Sequence, residues 1–200
     1  MKSRVSTWIA AISLFIPLAM PVRAAAQEES VAQEPKAGLS GKTQEGEPFF
    51  IKFDVPGAGT GSGQGTLTAG INPVGTISGN YFDANTATHG DLRAPDGTIT
   101  KYDVPGAGTG YRQGTVGGSI NPAGEIAGYY VDDSTVFHGY VRDPDGAITR
   151  YDVPGAGRSS GQGTFPFVNS PSGEIAGFYV DANNVSHGFL RISCQSDDVE

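Results

Sequence analysis

Cysteine is almost absent. Cys194 is the only one in 200 residues, so no internal disulfide is available and the fold must hold without covalent staples. Basic residues are also few. Thirteen Lys and Arg stand against 21 Asp and Glu, for a net charge of −8. This excludes the basic footprint that nucleic-acid binding needs and the polybasic patch that holds a protein to anionic lipid. Histidine occurs only at His89, His138 and His187. Long apolar runs are missing after the first 20 residues, so no membrane span is expected in the mature chain. Sustained helical periodicity is missing too, because 30 Gly and 13 Pro interrupt every window that begins to show it.

The one apolar run, Trp8 to Met20, follows Lys2 and Arg4 and precedes Ala24-Ala25-Ala26. A basic start, a short apolar stretch and small residues at the cleavage positions make residues 1–26 a secretory signal peptide. The expected location is therefore secreted or periplasmic. Removing Lys2, Arg4 and Arg23 with the signal takes the mature charge to near −11. Residues 27–47 are rich in Gln, Glu, Lys, Gly, Ser and Pro and read as a flexible leader. Residues 48–192 carry the β domain and residues 193–200 a polar tail.

Self-similarity is the strongest signal. Asp-Val-Pro-Gly-Ala-Gly begins at Asp54, Asp103 and Asp152, Gln-Gly-Thr at Gln64, Gln113 and Gln162, and His-Gly at the three histidines. Every spacing is 49 residues, which sets repeat phases of 54–102, 103–151 and 152–192. Each copy holds short strand-like runs punctuated by turn residues, such as Pro95-Asp96-Gly97, where Pro presets φ and Gly accepts a positive one. The second run of the second and third copies is apolar on both faces, as in Ile126 to Val131 and Ile175 to Val180, which calls for cover on both sides.

These features make the class all-β. The segment 49–55 matches the fourth run of the later copies, while the third copy stops after its third run. The permutation suggests twelve strands in three four-stranded units, with the N-terminal strand completing the last unit in a closed propeller-like ring. A β-trefoil or β-prism-like three-fold fold is the alternative, and an open or oligomer-completed array is a third arrangement.

The repeat resembles the HAF repeat of bacterial extracellular proteins. The resemblance is carried by Gly65-Thr66, Ile71-Asn72, Gly75, Ile77, Gly79 and His89-Gly90, and more fully by Ile120-Asn121, Gly124 to Tyr129, His138-Gly139-Tyr140 and His187-Gly188-Phe189. Gly replaces the middle Ala of the His-Ala-Phe signature in all three copies. The resemblance implies an exported multi-repeat β protein and brings no catalytic residue with it.

Candidate chemistry is sparse. A three-residue loop at Pro95-Asp96-Gly97 sets a register that places His89 opposite Asp103 and His138 opposite Asp152. The repeat-equivalent partner of His187 is Asp54, on the N-terminal segment, where the pair would latch the ring. These pairs are read as structural; three histidines converging on a metal is the rival arrangement. Loops with Asp83 and Asn85, Asp132 and Asp133, and Asp181, Asn183 and Asn184 offer oxygens to calcium but lack an EF-hand's spacing. No metal, no cofactor and no catalytic residue is assigned. The leading function is a secreted, non-catalytic repeat module with a structural or protein-interaction role. A lectin-like glycan binder using Tyr111, Tyr129, Phe137 or Tyr140 as stacking platforms is the alternative, and a small secreted hydrolase is the third. The partner is thus an unknown protein or a glycan. N-terminal sequencing of the exported protein is expected to begin at Gln27; Met1 retained in a membrane fraction would contradict the signal-peptide reading.

Overall fold

The computed structural model describes residues 48–192. The signal segment 1–26, the leader 27–47 and the tail 193–200 with Cys194 lie outside the described residues. The described residues are all-β, with no helix.

The first copy forms β1 (Gly65–Ile71), β2 (Ile77–Phe82), β3 (Thr88–Arg93) and the short β4 (Ile99–Tyr102). The second repeats this as β5 (Gly114–Ile120), β6 (Ile126–Val131), β7 (Phe137–Arg142) and β8 (Ile148–Tyr151), and the third as β9 (Gly163–Asn169), β10 (Ile175–Val180) and β11 (Ser186–Arg191). Within a copy the strands form an antiparallel meander. One loop type closes every hairpin. Three residues lie between an i and i+4 pair, and the third has positive φ, as in Ala94 N–H to Thr98 O across a loop ending at Gly97 with φ 91°. That geometry fixes the register, pairing Arg93 with Ile99 and Asp91 with Lys101.

The copies join through a narrow backbone contact. β3 meets β5 in parallel at a single pair, Thr88 and Gly114, and β7 meets β9 at Phe137 and Gly163. Thr88 N–H donates to Gln113 O at 2.8 Å, and Phe137 N–H to Gln162 O at 2.9 Å. β5 then lies between β1 and β9, so the copies follow one another in a row. The central copy is the best covered. β6 is buried on both faces, and Ile126, Tyr130 and Tyr140 form one cluster with Val104 and Ile120. Ala127, Val141 and Ile175 form a second cluster toward the third copy.

The result is one open, mixed sheet of eleven strands. The closed ring expected from the permuted repeat, with a twelfth strand at its latch, is not formed by the described residues. Segment 49–55 forms no strand pairing and lies on the first copy rather than on β11. Val55, 1% exposed, donates its N–H to Thr66 Oγ1 at 2.9 Å, and the Arg93 guanidinium sits 5.0 Å above the Phe53 ring. Val104 and Tyr102 make the same contacts with Thr115 and Arg142 of the second copy. The physical reason is local. A Val-Pro-Gly segment is recognised by the Thr and Arg of the copy that follows it in sequence, and a short closure costs less entropy than one spanning the domain.

One core position departs from the pattern. Tyr140 and Phe189 occupy the centre of their third strands, each edge-on to a tyrosine of the neighbouring fourth strand. The equivalent residue of the first copy is Asp91, 1% exposed, with Oδ1 lacking a hydrogen-bond partner. Burial pushes its carboxyl from the usual 3.8 up to about 6. The folded protein therefore holds this proton more tightly than the unfolded chain. Stability is relieved of the penalty below about 4, falls as pH rises through 6, and bears the full penalty above. Asp91→Asn is expected to stabilise the fold at pH 7.5 by on the order of 1 kcal/mol, with the advantage shrinking as pH falls toward 4. Urea unfolding of both proteins across this range checks it, and a pH-independent difference would refute the assignment.

Candidate functional site

The three repeat signatures meet at one end of each copy. Gln-Gly-Thr supplies two anchors. Gln113 Oε1 accepts the Gly110 N–H at 2.8 Å while its Nε2 donates to Asp133 O at 3.0 Å, so it ties the Gly-rich connection to the loop after β6. Gln64 makes the equivalent bonds to Gly61 and Ala84. The Thr hydroxyl accepts the Val N–H of Asp-Val-Pro-Gly in all three copies, at 2.9, 2.8 and 2.9 Å. With the chain so placed, the Asp of that motif reaches the histidine of the preceding third strand.

His89 Nδ1 lies 3.0 Å from both Asp103 carboxylate oxygens, and His138 Nδ1 lies 2.9 Å from Asp152 Oδ1. A second carboxylate approaches each ring from the other side. Asp83 Oδ2 is 3.8 Å from His89 Nε2, and Asp132 Oδ2 is 3.4 Å from His138 Nε2. The other oxygen of Asp132 accepts the Ser134 and Val136 N–H groups at 2.8 Å each, so one side chain shapes the turn and faces the imidazole. Each ring stacks on a tyrosine, with centroids 4.9 Å apart for Tyr81 and His89 and 4.8 Å for Tyr130 and His138. A cation sits nearby in both copies. Lys101 Nζ donates to Pro56 O at 3.1 Å, and Arg150 Nη1 to Pro105 O at 2.8 Å.

The third copy holds half of this cluster. His187 stacks on Tyr179 at 4.9 Å and lies 3.4 Å from Asp181 Oδ2. Asp54 stays on the first copy and forms no hydrogen bond with His187 among the described residues, so the expected latch within one chain is not made. Each histidine is engaged within its own part of the sheet and the three do not share a site. Among the described residues, no group of three or more His, Cys, Asp or Glu is arranged to hold a metal ion. The loop aspartates spend one oxygen on their own turns, as Asp181 does with Asn183 and Val185; those bonds hold its carboxyl below the usual range.

The aromatic candidates divide. Tyr140 is wholly buried, with its hydroxyl 2.9 Å from that of Tyr102 and donating to Val116 O at 3.1 Å. It is a core residue and not a stacking platform; burial raises its hydroxyl pKa well above the usual value and pushes that of Tyr102 up to about 12. Tyr111 is 69% exposed, with Arg112 over its ring. Tyr129 and Phe137 are half-buried and join Phe165, Phe178 and Phe167 in a run of ring contacts crossing from the second copy to the third.

Sequence reasoning missed the second aspartate, the stacked tyrosine and the cation. Their signal was present, since Asp83, Tyr81 and Lys101 recur at the same 49-residue spacing as Asp132, Tyr130 and Arg150. Comparison with known proteins finds no matching family, no matching curated protein and no matching solved structure. No helix among the described residues is long and apolar enough to cross a membrane.

The two aspartates beside His138 differ in weight. Asp132 fixes a turn through two backbone bonds, whereas Asp152 is 46% exposed at its side chain and makes a screened pair. Asp132→Ala is expected to cost about 1–2 kcal/mol and Asp152→Ala less than about 1 kcal/mol. Denaturant unfolding of the two variants checks the order, and a larger loss for Asp152→Ala would contradict it.

Proposed function

We propose that the protein is an exported, non-catalytic repeat module that works by interaction through the ends of its row of copies. The observation that carries this reading is where large apolar side chains are exposed. Ile120 of the central copy is 9% exposed, while its first-copy equivalent, Ile71, is 66% exposed. Val136 and Val141 are 4% and 7% exposed, while their third-copy equivalents, Val185 and Leu190, are 49% and 63% exposed. Apolar residues that one copy buries and the outermost copies display form surfaces shaped for a partner. The polar signatures, by contrast, are bonded to one another within the framework. The resemblance to HAF repeats and the signal-like N-terminus support export, secreted or periplasmic. The propeller-like aspect of the reading rests on the four-stranded unit and its 49-residue length.

A glycan-binding reading is favoured by one feature. Tyr129, exposed Phe167, Pro166 and Ser119 line a shallow groove of about 230 Å³ across the inner strands. Rings beside a hydroxyl suit a sugar face and its edge. A glycan array with the exported chain, run beside a broad hydrolase panel, separates these readings. The interaction module is expected to retain no glycan and turn over no substrate. Glycan retention abolished by Tyr129→Ala and Phe167→Ala would favour the groove, and turnover would overturn the non-catalytic reading.

A further inference from the structure

The first two copies each end in a fourth strand that the third copy lacks among the described residues, and the segment ahead of the first copy matches that strand residue by residue. At the end of the first copy, Lys101 and Tyr102 of β4 and the following Asp103 make three contacts back onto that copy. Lys101 donates to Pro56 O, the Tyr102 ring covers Gly90, and Asp103 meets His89. At the end of the second copy, Arg150-Tyr151-Asp152 does the same with Pro105 O, Gly139 and His138. The third copy displays the receiving half. Gly188 is exposed, and a side chain added there would meet no atom nearer than 4.0 Å, whereas at Gly90 and Gly139 it would run into the tyrosine ring at 2.5 and 2.7 Å. The His187 side chain is 42% exposed, against 24% and 20% for His89 and His138.

The donating half stands at the other end. Lys52-Phe53-Asp54 occupies the same repeat positions as the two tripeptides. Its inward side is already docked as theirs is, with Phe53 beneath Arg93 as Tyr102 lies beneath Arg142. Its outward side is open, since Asp54 is exposed and the preceding Phe50 and Ile51 are 86% and 68% exposed. The backbone joint has matching open ends too. Gly65 holds a φ of 112°, like Gly114 at 117° and Gly163 at 126°, but lacks the third strand that lies within 2.0 Å of an added Cβ at Gly114.

We propose that a second copy of this chain docks head to tail on the first, its Lys52-Phe53-Asp54 entering the third copy's open face. The inference rests on the interaction-module reading and names the partner. Phe53 of the second molecule covers Gly188, its Asp54 meets His187, its Lys52 reaches Pro154 O, and its Gly65 meets Ser186. The contact repeats chemistry that the chain already uses twice internally, so no new surface has to be invented. Within one molecule the segment is held on the first copy by Val55 and Phe53, which is why the occupant is a second molecule. Such a contact is heterologous and continues until rotation closes it. Two molecules supply six four-stranded units, within the four to eight of closed propellers.

Light scattering with size-exclusion chromatography on the full chain, under reducing conditions and across a dilution series, tests this. A concentration-dependent two-chain species, or longer polymers if the rotation does not close, is expected. Gly188→Arg fills the receiving slot and Phe50→Glu charges the donating end; both residues are exposed, so each variant is expected to keep wild-type far-ultraviolet circular dichroism. Each variant alone is expected to lose the assembled species. An equimolar mixture regains one open dimer, because each contributes one intact end. A chain monomeric at every concentration, variants that assemble as the wild type does, or a mixture that stays monomeric would overturn the proposal. With a silent hydrolase panel those results leave the broader interaction reading standing, whereas turnover overturns that reading whatever the assembly state.

Discussion

The architecture depends on a backbone-to-backbone joint between one copy and the next. At Gly114 an added Cβ would lie 2.0 Å from Thr88 O, and at Gly163 it would lie 1.9 Å from Phe137 O. Glycine is required twice over at both positions, because φ is also positive there. Only this close approach lets Thr88 and Phe137 donate to Gln113 O and Gln162 O. The rest of the junction follows. Gln113 and Gln162 are held by the Gly-rich connections, the next residue but one is the Thr that anchors Asp-Val-Pro-Gly, and that motif brings its Asp to the histidine. The 49-residue signature is therefore largely a description of one junction, with its parts contributed by two successive copies.

A junction made this way explains both the uneven burial and the polar cluster. Each copy offers one half of a junction on either side, so only the central copy has both halves satisfied. Its β6 is buried at every position but Tyr129, while β11 is mostly exposed although its sequence resembles that of β7. The His, Tyr and cation group has the look of a catalytic constellation. Its hydrogen bonds run to the Pro56 and Pro105 carbonyls, to Asp103 and Asp152, and on the other side of His138 to the turn-shaping Asp132, so it brackets neighbouring hairpins. Asp91 marks the first copy's core, where a buried carboxyl holds the position that Tyr140 and Phe189 fill in the other two copies.

Much of this was legible in the sequence because it was local. Turn chemistry at Pro95-Asp96-Gly97 sets the β3–β4 register, and that register follows from loop length alone. The two-sided apolar pattern of Ile126 to Val131 called for cover on both faces, which the cluster around Ile126 and Tyr130 provides on one side and the cluster around Ala127 on the other. Closure was not legible. The match of segment 49–55 to the later fourth strands pointed to a strand completing the third copy, which the described residues do not form; periodicity is blind to which neighbouring copy a segment packs on. Phe53 and Val55 face forward onto Arg93 and Thr66, a choice made by specific side-chain partners. The burial of Tyr140 was hidden for a related reason. A tyrosine on a strand reads as a platform or a core residue alike, and only the neighbouring Tyr102 hydroxyl and Val116 carbonyl decide.

The claim that the copies are held together by the glycine joint can be isolated by comparing two equivalent glycines. Gly65 and Gly114 have nearly the same φ, so alanine is strained by a similar amount at either. Only at Gly114 does the added methyl also collide with the preceding copy's backbone. The most direct measurement is the denaturant-unfolding free energy of Gly65→Ala and Gly114→Ala, each made with Phe50→Glu so that only junctions within one chain are read. The account predicts a loss for Gly114→Ala larger by at least about 2 kcal/mol, the cost of a lost close approach added to backbone strain. Equal losses at the two positions would contradict it.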